Sequence, residues 1–537
     1  MTTTLLWQGR VHSPVDPFAT AMLVEDDSIA WVGSDGAAAG HLDGVDAVVP
    51  LEGALVTPAF VDAHVHTTDT GLTLLGLDLS GAATLREALD AVERATRSGR
   101  GGVLLGHGWD ETRWPEGRPP SRGELDRASF GSVVYLSRAD VHSCVASSAL
   151  MARVPGLADL SGFDDVGWLR QDAHHAVRTS AQQAITAWQR AAAQRRTREV
   201  AAALGIAALH EMGGPEINGA DDFAEVLQRA AAEPGPEVVG YWGELGGVDR
   251  ARELGARGAA GDLFADGALG SRTALLRTVY ADADTRGAGY LTAAQVRDHV
   301  VACTEAGVQA GFHVIGDAAM DMVGAGLTEA TERLGPARLR AARHRLEHAE
   351  MLDPAHLTLL ASLGVVASVQ PVFDARWGGD HAMYATRLGV DRAAGLNPFA
   401  EMAAAGVALA FGSDAPVTPL GPWEAVRAAA WHRNPRHRLT VRAAFTAHTR
   451  GGWRAAGDDT TGVLAPGAPA TYAVWDAADL VVQTPDERVA AWSTDPRAGV
   501  PGLPDLSPGA PLPTCLRTVV RGATVHDHAE TPEGASL

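Results

Sequence analysis

Between residues 59 and 414 the sequence repeats one pattern: a short apolar or β-branched run, then a longer stretch rich in Ala, Leu and Arg. Eight such runs can be read: Ala59–His64, Ala207–His210, Val238–Tyr241, Asp262–Asp266, Val308–His313, Arg345–His348, Val365–Gln370 and Ala408–Asp414. Runs of this length suit strands rather than helices, and helical sequence separates most of them. Strands alternating with helices make a parallel sheet, and eight of them predict a closed (β/α)8 barrel, an α/β fold of the TIM type. Because such a barrel runs to ~250 residues or more as one unit, the 537 residues need not divide into three or four domains.

The flanks read differently. The first ~57 residues alternate apolar and polar positions over short runs such as Ala21–Val24 and Ile29–Gly33. The tail does the same in Ala470–Trp475, Leu480–Val482 and Arg517–Gly522. Neither end alone makes a sheet domain, so residues 1–57 and 455–537 are expected to pair into one small β-sandwich beside a barrel at 58–454. Well over 100 residues separate the first strand run from the second, far beyond a normal βα loop. Residues 68–200 carry their own helix (Leu85–Arg97) and strand (Ser132–Leu136), and read as an insertion or lid on the catalytic face.

Charge and composition exclude several functions. Acidic residues number 65 against 44 basic ones, a net charge of −21, and an acidic chain repels nucleic-acid phosphates. The densest basic stretch, Arg190–Arg198, reads as the solvated face of a helix. No apolar stretch approaches the ~18 residues of a membrane helix. Met1–Arg10 lacks the pattern of a secretory signal. Cys144, Cys303 and Cys515 are too few and scattered for a disulfide framework. The expectation is a soluble cytoplasmic protein that binds neither nucleic acid nor membrane, with a homodimer as the default assembly. All 44 basic residues are arginine, which removes lysine Schiff bases, lysine nucleophiles and lysine carbamates from the available chemistry.

The chemistry gathers at strand ends. On a strand, residues i and i+2 point the same way, so His64 and His66 can present two imidazoles to one cation. Imidazole nitrogen and carboxylate oxygen suit zinc and other divalent metals. His313 closes the fifth run, His348 the sixth and Asp414 the eighth. In a (β/α)8 barrel the C-terminal strand ends form the mouth where active sites sit. Any one of these residues could be a hydrogen-bonded core histidine or a helix cap; their recurrence at successive strand ends argues against that for all. His210 and Glu211 end the second run and read first as hydrogen-bonding residues, Asp266 and Asp317 as turn or cap residues.

The whole chain resembles the amidohydrolase superfamily, in its family-3 branch of enzymes similar to N-substituted formamide deformylase. The matching segments are Pro58–His66, Phe264–Ala274, His313–Asp317, Glu347-His348 and Gly412–Val417. In the insertion Gly108–Asp110, Arg138–His142 and Ser148–Leu150 match too. The resemblance implies a metal-dependent barrel, a flanking β-sandwich built from both termini, and hydrolysis of an amide-type C–N bond. There are two departures. Ser147 stands where the family often has Asn. Asp262 stands where members commonly carry a lysine, which binuclear relatives carboxylate to bridge two ions.

The expected function is hydrolysis of a small-molecule amide, formamide or related bond by metal-activated water. His64, His66 and Asp414 hold a divalent ion, zinc by ligand type, while His313 and His348 complete that site or hold a second ion. Asp414 is the general base. If His348 is not a ligand, it can stabilise the oxyanion. An aspartate is several bonds shorter than a lysine carbamate, so reach favours one ion, with Asp262 a weaker ligand candidate. Trp109, Asp110, His142 and Arg272 are candidate substrate contacts. The rival readings are a heterocyclic amine deaminase and a catalytically silent binding barrel.

Overall fold

The computed structural model describes residues 2–99, 101–139, 143–478, 480–483, 492–493 and 501–530. The chain divides into two compact units, Met1–His66 with Arg198–Leu537, and Thr67–Thr197.

The first unit holds an eight-stranded parallel sheet. Its strands are β1 (Phe60–Val65), β2 (Ile206–Gly213), β3 (Glu237–Trp242), β4 (Gly258–Ala259), β5 (Gln309–Val314), β6 (Arg345–His348), β7 (Val366–Val369) and β8 (Ala408–Phe411). They pair in sequence order from β1 to β8. The ring nearly closes where β8 returns to β1: Asp414 N donates to His64 O (2.8 Å) and His66 N to Ala415 O (2.9 Å). Strands β1, β2, β5, β6 and β7 are buried along their whole length, as parallel strands covered on both faces must be. The intervening helices start and stop where the sequence provides caps. Thr292 and Gln295 form a capping box for Ala293–Ala306, which ends at left-handed Gly307. Asp353 caps Pro354–Leu363, which ends at Gly364.

One strand departs from the expected run. Periodicity places the fourth strand at Asp262–Asp266, but β4 pairs with β5 only at Gly258–Ala259. The chain then turns at Gly261 (φ 87°), and a second ladder resumes where Ala265 N donates to His313 O and His313 N to Leu263 O. Asp262 sits in the interruption, off the regular ladder.

Both termini contribute to two further sheets. One joins Thr3–Trp7, Ala21–Glu25, Ser28–Gly33 and Ala47–Pro50. The other joins Arg10–Val11 and Leu55–Pro58 from the start of the chain with Tyr472–Asp476, Thr514–Val520 and Ala523–Asp527 from its end. Leu6, Met22, Val24, Val56, Val474 and Val519 share the apolar core of this sandwich. Trp475 reaches from it into the barrel floor, its ring 5.7 Å from Phe60 and 5.4 Å from Trp423.

The second unit, the insertion, has its own five-stranded sheet in the order Trp168–Arg170, Ser143–Ala146, Val133–Arg138, Val103–Trp109, Leu77–Asp78. Two apolar clusters lie on it, one around Tyr135, Cys144 and Leu169, the other around Trp109, Trp114 and Leu136. Among the described residues no helix of the chain is long and apolar enough to cross a membrane.

Candidate metal centre

The C-terminal ends of the barrel strands bring His64, His66, His313, His348, Asp262 and Asp414 into one cluster. His64 Nε2 and His66 Nε2 lie 3.5 and 3.3 Å from Asp262 Oδ2, and 3.4 and 3.3 Å from Asp414 Oδ1. On the other side, His313 Nδ1 and His348 Nε2 lie 3.5 and 3.8 Å from Asp262 Oδ1. Each Asp262 oxygen therefore faces a different pair of histidines. The reach that argues for a single ion is no limit here, because the interruption after β4 carries the short side chain to the middle of the cluster.

The strand ends turn sharply to make this approach. His348 (φ 70°), Ala349 (φ 46°) and Asp414 (φ 55°) all adopt the left-handed backbone region. That conformation costs of order 1 kcal/mol or more for a residue with a side chain and gathers at functional sites. Gly412 lets β8 meet β1: a Cβ there would stand 2.5 Å from His64 N and 3.0 Å from Asp62 Oδ1.

Each histidine's other nitrogen is already occupied. His64 Nδ1 is 2.9 Å from Glu347 Oε2, His66 Nδ1 3.0 Å from Met212 O, His313 Nε2 3.3 Å from Gly267 O, and His348 Nδ1 2.8 Å from Gln370 Oε1. Acceptors there fix the tautomer and leave the inward nitrogen with its lone pair free, which is how metal-ligating histidines are held. The inward atoms fit a cation. His64 Nε2, Asp262 Oδ1 and His313 Nδ1 are buried without a hydrogen-bond partner, and buried polar atoms are rarely left so.

The electrostatics point the same way. Burial works against a charged His64, yet Asp262 and Asp414 overcome it and raise its pKa to about 10. His66 is raised against burial by the same two carboxylates. Burial works against an ionised Asp262, and His64, His313 and His348 hold it well below the ordinary carboxylate value. His348 is lowered, by burial first and by His313 beside it. The cluster's carboxylates draw positive charge to its centre, which protons or a divalent cation can supply.

Four supporting residues escape the reading from sequence. Arg345 is fully buried, donates to Glu347 through Nε (2.5 Å) and Nη2 (3.0 Å), and reaches Ala63 O (2.7 Å) and Ser368 Oγ (3.0 Å). Its guanidinium lies 4.1 Å from the Tyr241 ring centroid. Although burial opposes it, Arg345 helps hold the Glu347 pKa down at about 2, so the carboxylate facing His64 is charged. Asp62 ties β1 to the β8 turn by accepting from Ser413 N (2.9 Å), and Gln370 orients His348. The spacing of Arg345 and Glu347, two apart on one strand face, is the available signal. His210 is fully buried, and burial lowers its pKa well below the ordinary value; its Nδ1 accepts from Arg345 Nη1 (3.1 Å).

Three of the candidate substrate contacts are otherwise engaged. Trp109 is fully buried in the insertion's core, and its Nε1 donates to Leu136 O (2.9 Å). Asp110 caps a short helical turn at Thr112 N and pairs with Arg138 (3.1 Å). Arg272 donates to both carboxylate oxygens of Asp282 (3.0 and 2.8 Å), which accounts for its charge without a substrate anion. His142 lies outside the described residues. A separate grouping of Asp321, Asp353 and His356 is bridged by Arg277 and forms an ion-pair network.

A profile described as the amidohydrolase family matches residues 47–526. The protein LONG AFTER FAR-RED 3 of Arabidopsis thaliana is 28% identical over 525 residues, covering 86% of this chain and 85% of that one. An N-substituted formamide deformylase of Arthrobacter pascens is 26% identical over 447 residues, covering 76% and 79%. The crystal structure of an uncharacterised metal-dependent hydrolase from Pyrococcus furiosus shares the fold: TM-score 0.74 at 24% identity, covering 89% of this chain and 99% of that one.

Proposed function

Because the chain belongs to the amidohydrolase family, we propose that it is a metal-dependent hydrolase of a small-molecule amide-type C–N bond, in which His64, His66 and Asp414 would hold one divalent ion, zinc by ligand type, and His313 and His348 a second, with Asp262 offering a carboxylate oxygen to each side. The observation that carries this reading is the division of labour around Asp262: one oxygen toward His64 and His66, the other toward His313 and His348. Asp414 joins the His64–His66 side. A resemblance to a formamide deformylase supports the bond class.

A divalent ion held there supplies Lewis acidity, polarising a carbonyl and lowering the pKa of bound water toward ~7. The chain's own residues do the rest. Asp414 takes the proton from the attacking water and returns it to the leaving amine. His348 serves as a ligand, oriented by Gln370, rather than as an oxyanion donor. Glu347 and Arg345 hold His64 in register.

Metal analysis of the purified chain is expected to give about two ions, falling in Asp262→Ala; one ion, unchanged by that substitution, overturns the two-ion reading. Asp414→Asn is expected to keep metal and to lose turnover by about 100-fold or more. Undiminished turnover removes Asp414 as the base. A screen across N-formyl, N-acyl and carbamate compounds tests the bond class. Ammonia release from amino-heterocycles with no amide turnover would assign deamination instead.

A further inference from the structure

Away from the metal centre, the N-terminal ends of β7 and β8 open into a cavity of about 1130 Å³. Its floor is aliphatic: Val366, Val407, Leu409 and Leu439 line it, and among the described residues no aromatic side chain does. Arg340, Arg343, Arg442, Arg450 and Arg454 also line it. This is a local inversion of sign in a chain of net charge −21.

Among the described residues the counter-charge does not match. Asp459 pairs with Arg343 (2.5 Å) and Arg454 (3.3 Å). Among the described residues Arg340 and Arg442 reach only backbone carbonyls, of Ser362 and Pro501. The Arg450 side chain makes no hydrogen bond or ion pair among the described residues. Several guanidinium groups around one concavity repel one another and raise the local concentration of anions, and their fixed forks suit carboxylate or phosphate oxygens. A floor without aromatic rings offers no platform for stacking a nucleobase. It offers hydrocarbon contact, which favours an aliphatic body on the anion. The concave shape favours a free small molecule over a flat bilayer.

We propose that this cavity binds a free aliphatic organic anion, its carboxylate or phosphate head on the arginine rim and its hydrocarbon body on the Val366–Leu409 floor. The site is independent of the metal centre. The test is calorimetric titration of the full-length protein with octanoate, 1-octanol and acetate. Octanoate is expected to bind about tenfold or more tighter than either control, since head and chain each contribute. Arg442→Ala and Arg450→Ala are each expected to weaken octanoate about fivefold or more, Arg450→Lys less, with unchanged melting temperature. Asp414→Ala is expected to leave octanoate affinity unchanged, which separates this site from the hydrolytic one. Octanoate affinity that follows Asp414 instead of the arginines overturns the proposal. So does affinity equal to that of octanol, or binding to anionic phospholipid vesicles with none to free octanoate.

Discussion

Glu347 is fully buried, yet it decides what His64 presents to the centre. Its carboxylate accepts from His64 Nδ1 and is itself gripped by Arg345. Replacing it with glutamine keeps the volume and removes the charge. Glu347→Gln is expected to lower metal affinity about 10- to 100-fold, the usual effect of losing such a supporting group, read by competition with a chromophoric chelator. Glu347→Ala is expected to go further and destabilise the fold by about 3–5 kcal/mol, because it strands the buried Arg345 guanidinium without its partner. The candidate ligands are legible in the sequence: His64, His66, His313, His348 and Asp414 each sit at a strand end, and strand period fixes which way they face. The role of Glu347 is not, because a buried carboxylate looks the same in sequence whether it holds a metal, a proton or an arginine.

At the scale of elements, the eight strand runs are readable and the break after β4 is not. Periodicity reports where apolar residues recur; it carries no sign of where a ladder pauses, and a pair as short as Gly258–Ala259 has no period to show. The loop that follows is held by Asp266, which reads in the sequence as a turn or cap residue. In the fold it does more than cap. Its Oδ1 accepts from Ile315 N (3.0 Å), and its Oδ2 from Gly316 N and Leu275 N (both 2.8 Å). One buried side chain thus joins the chain after β4, the connection after it, and the end of β5. Asp266→Ala leaves two buried N–H groups and one partly buried one without an acceptor. A loss of about 3 kcal/mol or more is expected in denaturant unfolding, with Asp266→Asn intermediate because it keeps one acceptor oxygen.

At the scale of the whole molecule, buried ionisable groups set the response to acid. Burial lowers His344 and His448 to about 4 and His432 to about 3. His210 and His299 are lowered by burial too. In the unfolded chain these groups take protons near pH 6.5, so stability falls as pH drops from there toward 4. Burial raises Asp62 to about 6 and Glu350 to about 7, and these two work in the opposite direction over the same window. His12 is lowered by burial to about 4 as well, and together these lowered histidines outweigh the two carboxyls and the centre's own His64, His66 and His313, which neighbouring carboxylates raise. Chelator-treated protein is expected to be about 3 kcal/mol less stable at pH 5 than at pH 7, as measured by urea unfolding; equal stability at both would mean these histidines are hydrated. The chain's complete lack of lysine has its own consequence at this scale. A lysine carbamate has to be made after synthesis, from dissolved carbon dioxide, and its site is complete only when that gas has been captured. Asp262 leaves the ribosome as a finished carboxylate. Metal uptake by this protein should therefore proceed equally in degassed buffer and in bicarbonate, so that assembly of the centre answers to metal supply alone.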